Sequence, residues 1–217
     1  MSHFDVMELF PTPLVIIKIE ENTDELFEIK DFSESTCDNY GPDKIRNPIE
    51  GKRILEKYPH LRDMFLEKFN KVMEKYMAFK KRDFMITTSW ITYMEKGGRS
   101  DKHLHRNCFW SGIYYFQNDY PEGTSKIKFH GPQSFGDYYF GIHEYEDIRI
   151  SNSTAWTFKP EPKTLYLFPS HLEHEIKTHE IDTIRQSLAF NIAPVTRYGA
   201  YDSSYDPSWI NNKKNVS

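Results

Sequence analysis

From Phe84 onward the chain is a succession of short β-branched and aromatic runs cut by turn formers. Phe84 to Met94 reads FMITTSWITYM and is closed by Gly97-Gly98. Lys126 to Phe129, Ala155 to Phe158, Thr164 to Phe168, Leu172 to Lys177 and Ile184 to Ile192 follow, with turn formers between them. Residues of this kind suit a pleated, half-buried surface. Several such runs in sequence predict a sandwich or barrel, a mainly β fold with flanking helices.

The helices lie before the strands. Pro59 to Arg82 carries Leu61, Met64, Phe65, Phe69, Val72, Met73, Tyr76 and Met77 at the three-and-four spacing of an amphipathic helix. Pro59 suits a first helical turn, and Lys80, Lys81 and Arg82 suit the negative end of the helix dipole. Its apolar stripe predicts packing on one face of a sheet. Leu14 to Ile19 reads as a first strand after Pro11 and Pro13. Glu20 to Arg53 is polar and scattered, and reads as a long connection with one short helix. Gln133 to Ile150 reads as a loop. The chain is therefore expected to form one domain over residues 1–198, with helical support at about 42–82, a β core at about 84–194 and a polar tail at 199–217.

The 217 residues carry a formal charge of −4, which argues against a general nucleic-acid binder with its basic patch. No apolar run approaches the roughly 20 residues of a membrane span, and the start, MSHFDVMELF, lacks the pattern of a signal peptide. Cys37 and Cys108 are the only cysteines, which fits a reducing compartment and a cytoplasmic protein.

Chemistry concentrates in Ser100 to Phe116, SDKHLHRNCFWSGIYYF. His103 and His105 stand two apart, and in an extended strand both imidazoles project from one face. Imidazole suits Zn, Cu, Fe and Ni; two surface histidines would give the same pattern. A third histidine, His174, follows the turn formers in LYLFPSHLEHEI, with His171 and His179 as neighbouring alternatives. Ligands from two distant strands leave one side of a metal open, as a catalytic site requires. Arg185 stands in RQSLAFNI, on one strand face with Ser187. A buried guanidinium needs an anion: a carboxylate of this chain, or the carboxylate of a ligand gripped by Arg185 with Ser187.

The order HxH, IYYF, LFPSHLEH, RxSxxFN resembles the 2-oxoglutarate/Fe(II)-dependent oxygenases, particularly their prolyl-hydroxylase-like branch. The resemblance runs from about Leu9 to Pro194 and implies a double-stranded β-helix of the jelly-roll or cupin kind. It implies Fe(II) held by His103, His105 and His174. It assigns the far carboxylate of 2-oxoglutarate to Arg185 and Tyr115, with Tyr93 and Ser187 also at that cosubstrate. It further implies consumption of O2 and release of succinate and CO2 as an unidentified substrate is hydroxylated. Protein residue, nucleotide and small metabolite are all admissible substrates. Phe109, Trp110 and Tyr114 are candidates for the wall of the site, or ordinary core.

The family's usual second ligand is a carboxylate, and here it is His105. Asp101, on the same strand face, is the alternative carboxylate; Asn107 shares that face and is a candidate for orienting a ligand. Two other readings stand beside the hydroxylase: a cupin-type three-histidine metal dioxygenase that needs no 2-oxoglutarate, and a non-catalytic β-barrel with a vestigial site.

Overall fold

Two facing antiparallel sheets form the framework of a double-stranded β-helix. The computed structural model describes residues 11–34, 40, 44–49, 51–79, 83–131, 146–150, 152–199 and 201–206. The strands are β1 (Val15–Lys18), β2 (Phe32–Glu34), β3 (Ile45–Pro48), β4 (Phe84–Met94), β5 (Ser100–His103), β6 (Trp110–Tyr115), β7 (Ile127–His130), β8 (Ala155–Phe158), β9 (Thr164–Pro169), β10 (His174–Ile176) and β11 (Arg185–Pro194). The larger sheet has the order β1-β9-β6-β11-β4-β3-β2, and the smaller β5-β10-β7-β8. No helix among the described residues is long and apolar enough to cross a membrane.

Helices α1 (Ile54–Lys57) and α2 (Pro59–Lys75) precede β4. The apolar stripe of α2 lies on the outer face of the larger sheet, as its periodicity predicts. Phe65 packs against Tyr114 and Phe190 at ring-centroid distances of 5.3 and 5.1 Å, and Phe69 against Phe84 at 5.0 Å. A second apolar cluster, including Met94, Tyr115, Phe129, Phe168 and Ile176, fills the space between the sheets. Strands β6 and β9 are therefore covered on both faces, and every residue of each is buried. That is why they read as continuous apolar runs rather than alternating ones.

Several expectations require correction. Helix α2 stops at Lys75, not Arg82. The amides of Tyr76 and Met77 both donate to the carbonyl of Val72, and Ala78 takes a left-handed φ of 52°, so the chain leaves the helix there. Lys80, Lys81 and Arg82 lie outside the described residues. The connection from Glu20 to Arg53, including part of the expected helical support, contains β3 and the edge strand β2, the last two strands of the larger sheet. Each is only three or four residues long and is held by pairing in the larger sheet, which carries no periodic signal. Of the expected loop, residues 133–145 lie outside the description, as does Cys37. Of the expected tail, Tyr205 pairs back to Tyr198 across an isolated bridge, while 207–217 lie outside the described residues.

The segment Ser100 to Phe116 is two strands rather than one. Strand β5 ends at His103, residues 104–109 cross between the sheets, and Asn107 turns the chain with φ 62°. His105 therefore stands beyond the strand, and period-two alternation does not place it.

Candidate metal centre

Register sets the two walls of the site. On the smaller sheet His174 pairs with His103 on one side and Phe129 on the other, so the three side chains share a face. On the larger sheet Arg185 pairs with Met94, Ser187 with Thr92 and Ala189 with Trp90, and these face the smaller sheet. His105 is brought in by the crossing segment: its amide donates to the Ser170 carbonyl at 2.9 Å. A hydroxyl chain braces that crossing. Ser111 Oγ donates to Asn191 Oδ1 at 2.8 Å and accepts from Ser170 Oγ at 2.9 Å, and Asn191 Nδ2 donates to Thr88 Oγ1 at 3.0 Å.

The donor nitrogens of His103, His105 and His174 all lie within 4.8 Å of one another. The rings of His103 and His174 are fixed by hydrogen bonds from Nδ1 to backbone carbonyls, of Asp101 at 2.8 Å and of Leu172 at 2.9 Å. With Nδ1 protonated and donating, the Nε2 lone pair of each is left for a metal. Burial lowers all three pKa values: His174 to about 3, His105 to about 4, and His103 below its ordinary value. Crowding by the other imidazoles adds to the effect in His174 and His105. The rings are thus neutral near pH 7, the form that ligates metal. By donor type, protonation and convergence, the three residues fit a divalent transition-metal ion.

Asp101 does not join them. It is exposed and its carboxylate is paired with Arg99 at 2.9 Å. Asn107 is exposed on the turn, and His171 is exposed as well. His179 is buried elsewhere, where Nδ1 accepts from the Ser125 amide at 3.3 Å and Nε2 donates to the Thr183 carbonyl at 2.8 Å.

Arg185 lines the same cleft as the three histidines and is 1% exposed. Its Nη2 donates to the Tyr115 hydroxyl at 3.1 Å and its Nη1 to Ser187 Oγ at 3.3 Å, while Nε is buried without a partner. Among the described residues no carboxylate pairs with it, so an internal salt bridge does not account for its burial. A buried, uncompensated guanidinium is costly. Here it lines, with Ser187, a cleft that also holds three neutral metal-type donors, while Tyr115 braces it from the core and does not itself line the cleft.

Tyr93 is placed differently from its expectation. Trp90, Thr92 and Met94 face the cleft, whereas Tyr93 has the opposite parity and its ring lies 5.1 Å from that of Phe32. Phe109, Trp110 and Tyr114 likewise belong to the cluster under α2 and do not line the cleft. The tyrosine that does line it is Tyr40, from a segment the sequence left as connection. Its hydroxyl accepts from Trp90 Nε1 at 3.2 Å and lies 3.4 Å from Thr92 Oγ1. No periodic signal marks Tyr40; the isolated bridge to Ser100 brings it here.

Residues 88–191 match the protein family described as "Putative 2OG-Fe(II) oxygenase". No curated protein sequence matches the chain. Among solved structures, the α-ketoglutarate-dependent carbocyclase SnoK of nogalamycin biosynthesis is 11% identical with a TM-score of 0.57, covering 95% of this chain and 87% of its own. HygX from Streptomyces hygroscopicus, with nickel, 2-oxoglutarate and hygromycin B bound, is 12% identical with a TM-score of 0.52, covering 84% and 83%. A Pseudomonas putida prolyl-4-hydroxylase is 11% identical with a TM-score of 0.51, covering 84% and 93%. At these identities the likeness is one of fold.

Proposed function

We propose that this chain, a member of the 2-oxoglutarate/Fe(II) oxygenase superfamily, is a working dioxygenase whose iron is held by His103, His105 and His174. In this reading Arg185, Tyr115 and Ser187 bind the far carboxylate of 2-oxoglutarate. The observation that carries it is the buried Arg185, with Nε unpartnered, in one cleft with three converging imidazoles. A guanidinium there supplies the bidentate geometry and charge that a carboxylate takes.

The chemistry that iron, 2-oxoglutarate and dioxygen supply together is R–H + 2-oxoglutarate + O2 → R–OH + succinate + CO2. The chain's own residues position and exclude. The Tyr115 hydroxyl and Ser187 Oγ orient the guanidinium of Arg185, so the dicarboxylate enters a prepared fork. The imidazoles of His103 and His174 are prevented from rotating by their carbonyl partners. Phe129, Phe168 and Ile176 keep the space between the sheets apolar, which limits side reactions with water.

Purified protein reconstituted with Fe(II) tests this. Conversion of 2-oxoglutarate to succinate supports it, and iron-loaded protein that never consumes 2-oxoglutarate overturns it. One observation favours a second reading: the converging donors include no carboxylate, which suits a three-histidine dioxygenase that works without 2-oxoglutarate. That reading predicts O2 consumption without succinate. A protein that binds no divalent ion would instead be a non-catalytic barrel.

The substrate belongs to the mouth of the cleft. Among proteins of similar fold, a prolyl hydroxylase from Trichoplax adhaerens was solved with a peptide fragment and HygX with hygromycin B. Peptides and small molecules are accordingly the first two classes to screen. A reducing cytoplasm suits both a ferrous site and the half-buried thiol of Cys108.

A further inference from the structure

The three imidazoles are not held alike. His103 and His174 each have a ring nitrogen tied to a backbone carbonyl. The ring of His105 has no hydrogen-bond partner among the described residues. Two neighbouring rings lie nearly parallel to it instead. The His174 ring is 5.1 Å away at an interplanar angle of 2°, and the Trp90 indole is 5.8 Å away at 23°. Metal-ligating histidines usually have the second nitrogen hydrogen-bonded, which sets the ring's orientation and raises its basicity. For His105 that restraint is missing, and it stands past the end of β5, where the strand no longer dictates its direction.

Trp90 is itself held by a hydrogen bond. Its indole N–H donates to the Tyr40 hydroxyl at 3.2 Å, and that hydroxyl lies 3.4 Å from Thr92 Oγ1 on Trp90's own strand face. Its neighbour across the ladder in β11 is Ala189, whose small side chain leaves room on the floor of the cleft for the indole and the imidazole over it. Aromatic planes in offset contact resist tilting, and the π-faces attract beyond their buried area.

We infer that Trp90 is the positioning residue for His105, acting by ring stacking where a hydrogen bond would ordinarily act, and that Tyr40 locks Trp90 in that pose. The inference rests on the reading that the three histidines hold a divalent ion. Orientation, rather than basicity, is what the protein supplies to this ligand. Tyr40 thereby makes the segment before β3 part of the metal site, fifty residues ahead of Trp90 in the sequence.

The test is Co(II) titration of the chelator-stripped full chain, read by visible absorption and calorimetry, for wild type, Trp90→Leu, Trp90→Phe and Tyr40→Phe. Trp90→Leu should weaken Co(II) binding about tenfold, the lower end of the effect of losing an outer partner of a metal ligand, and should shift the visible bands. Trp90→Phe keeps a ring over His105 and should stay near the wild-type affinity. Tyr40→Phe should shift the bands with little change in melting temperature. If the wild type binds no Co(II), the metal-site reading itself fails. If the wild type binds and Trp90→Leu matches its affinity and spectrum, the positioning role is overturned. Should Trp90→Leu fail to fold, an unchanged spectrum in folded Tyr40→Phe overturns it instead.

Discussion

The guanidinium of Arg185 meets Tyr115 twice: Nη2 donates to the hydroxyl at 3.1 Å, and Cζ lies 5.1 Å from the ring centroid. The tyrosine therefore offers the cation both an acceptor and a π-face, but no negative charge, so the cation's charge is left for a ligand to match.

Arg185→Ala is expected to leave metal binding intact and to weaken 2-oxoglutarate binding by about 2–5 kcal/mol, the usual range for truncating one side of a buried charge-assisted pair. Calorimetric titration of 2-oxoglutarate into metal-loaded protein measures it. Wild-type affinity in the variant would remove the guanidinium from the cosubstrate site.

His174→Ala is expected to abolish stoichiometric divalent-metal binding, because His174 is the most buried of the three donors and the one next to His103 in the ladder. Metal content after dialysis against Fe(II) or Mn(II) decides this. A variant that retains the ion would show that the ligands lie elsewhere.

The metal-free protein should lose stability in acid. Burial holds His174 at about 3 and His105 at about 4, against 6.5 in an unfolded chain. Between those values and 6.5 the unfolded state binds more protons than the folded one, so stability rises with pH across that window and is level above it. Urea midpoints in the presence of chelator should show the slope. His174→Gln, which does not titrate, should make it shallower; an equal slope in the variant would assign the acid sensitivity to other groups.

Gly112→Ala is expected to destabilise the fold by about 1–3 kcal/mol through overpacking. A Cβ there would sit 2.3 Å from Phe190 Cζ and 2.5 Å from its Cε2, and Phe190 is wedged against Phe65 of α2. A thermal melt measures it, and a melting temperature unchanged from wild type would mean that the ring has room to move.

Much of the architecture was legible because hydrophobic periodicity is local. The bounds of β4 and β8 coincide with the runs Phe84 to Met94 and Ala155 to Phe158. Strands β2 and β3 were hidden because a short polar strand at or next to a sheet edge is specified by its partners rather than by its own pattern. Resemblance put Tyr93 at the cosubstrate, yet parity within β4 argues otherwise: Arg185 pairs with Met94, so even-numbered residues of that stretch share its face and Tyr93 does not. His103, His105 and His174 converge as the motif order implied, but His105 arrives by a crossing segment rather than by strand alternation. Tyr40 had no signal, since its place depends on a contact sixty residues away in the sequence.

His103 and His174 belong to the four-stranded sheet, and Arg185 to the seven-stranded one. The spacing between these two halves of the site is kept by interleaved rings, such as Phe129 against Phe168 at 5.0 Å, rather than by a shared ladder. A dianion reaching from the metal to the guanidinium would act as a tie rod across that seam. Its arrival should damp the breathing of one layer against the other, so that amide protons along the inner strands of both sheets exchange more slowly together.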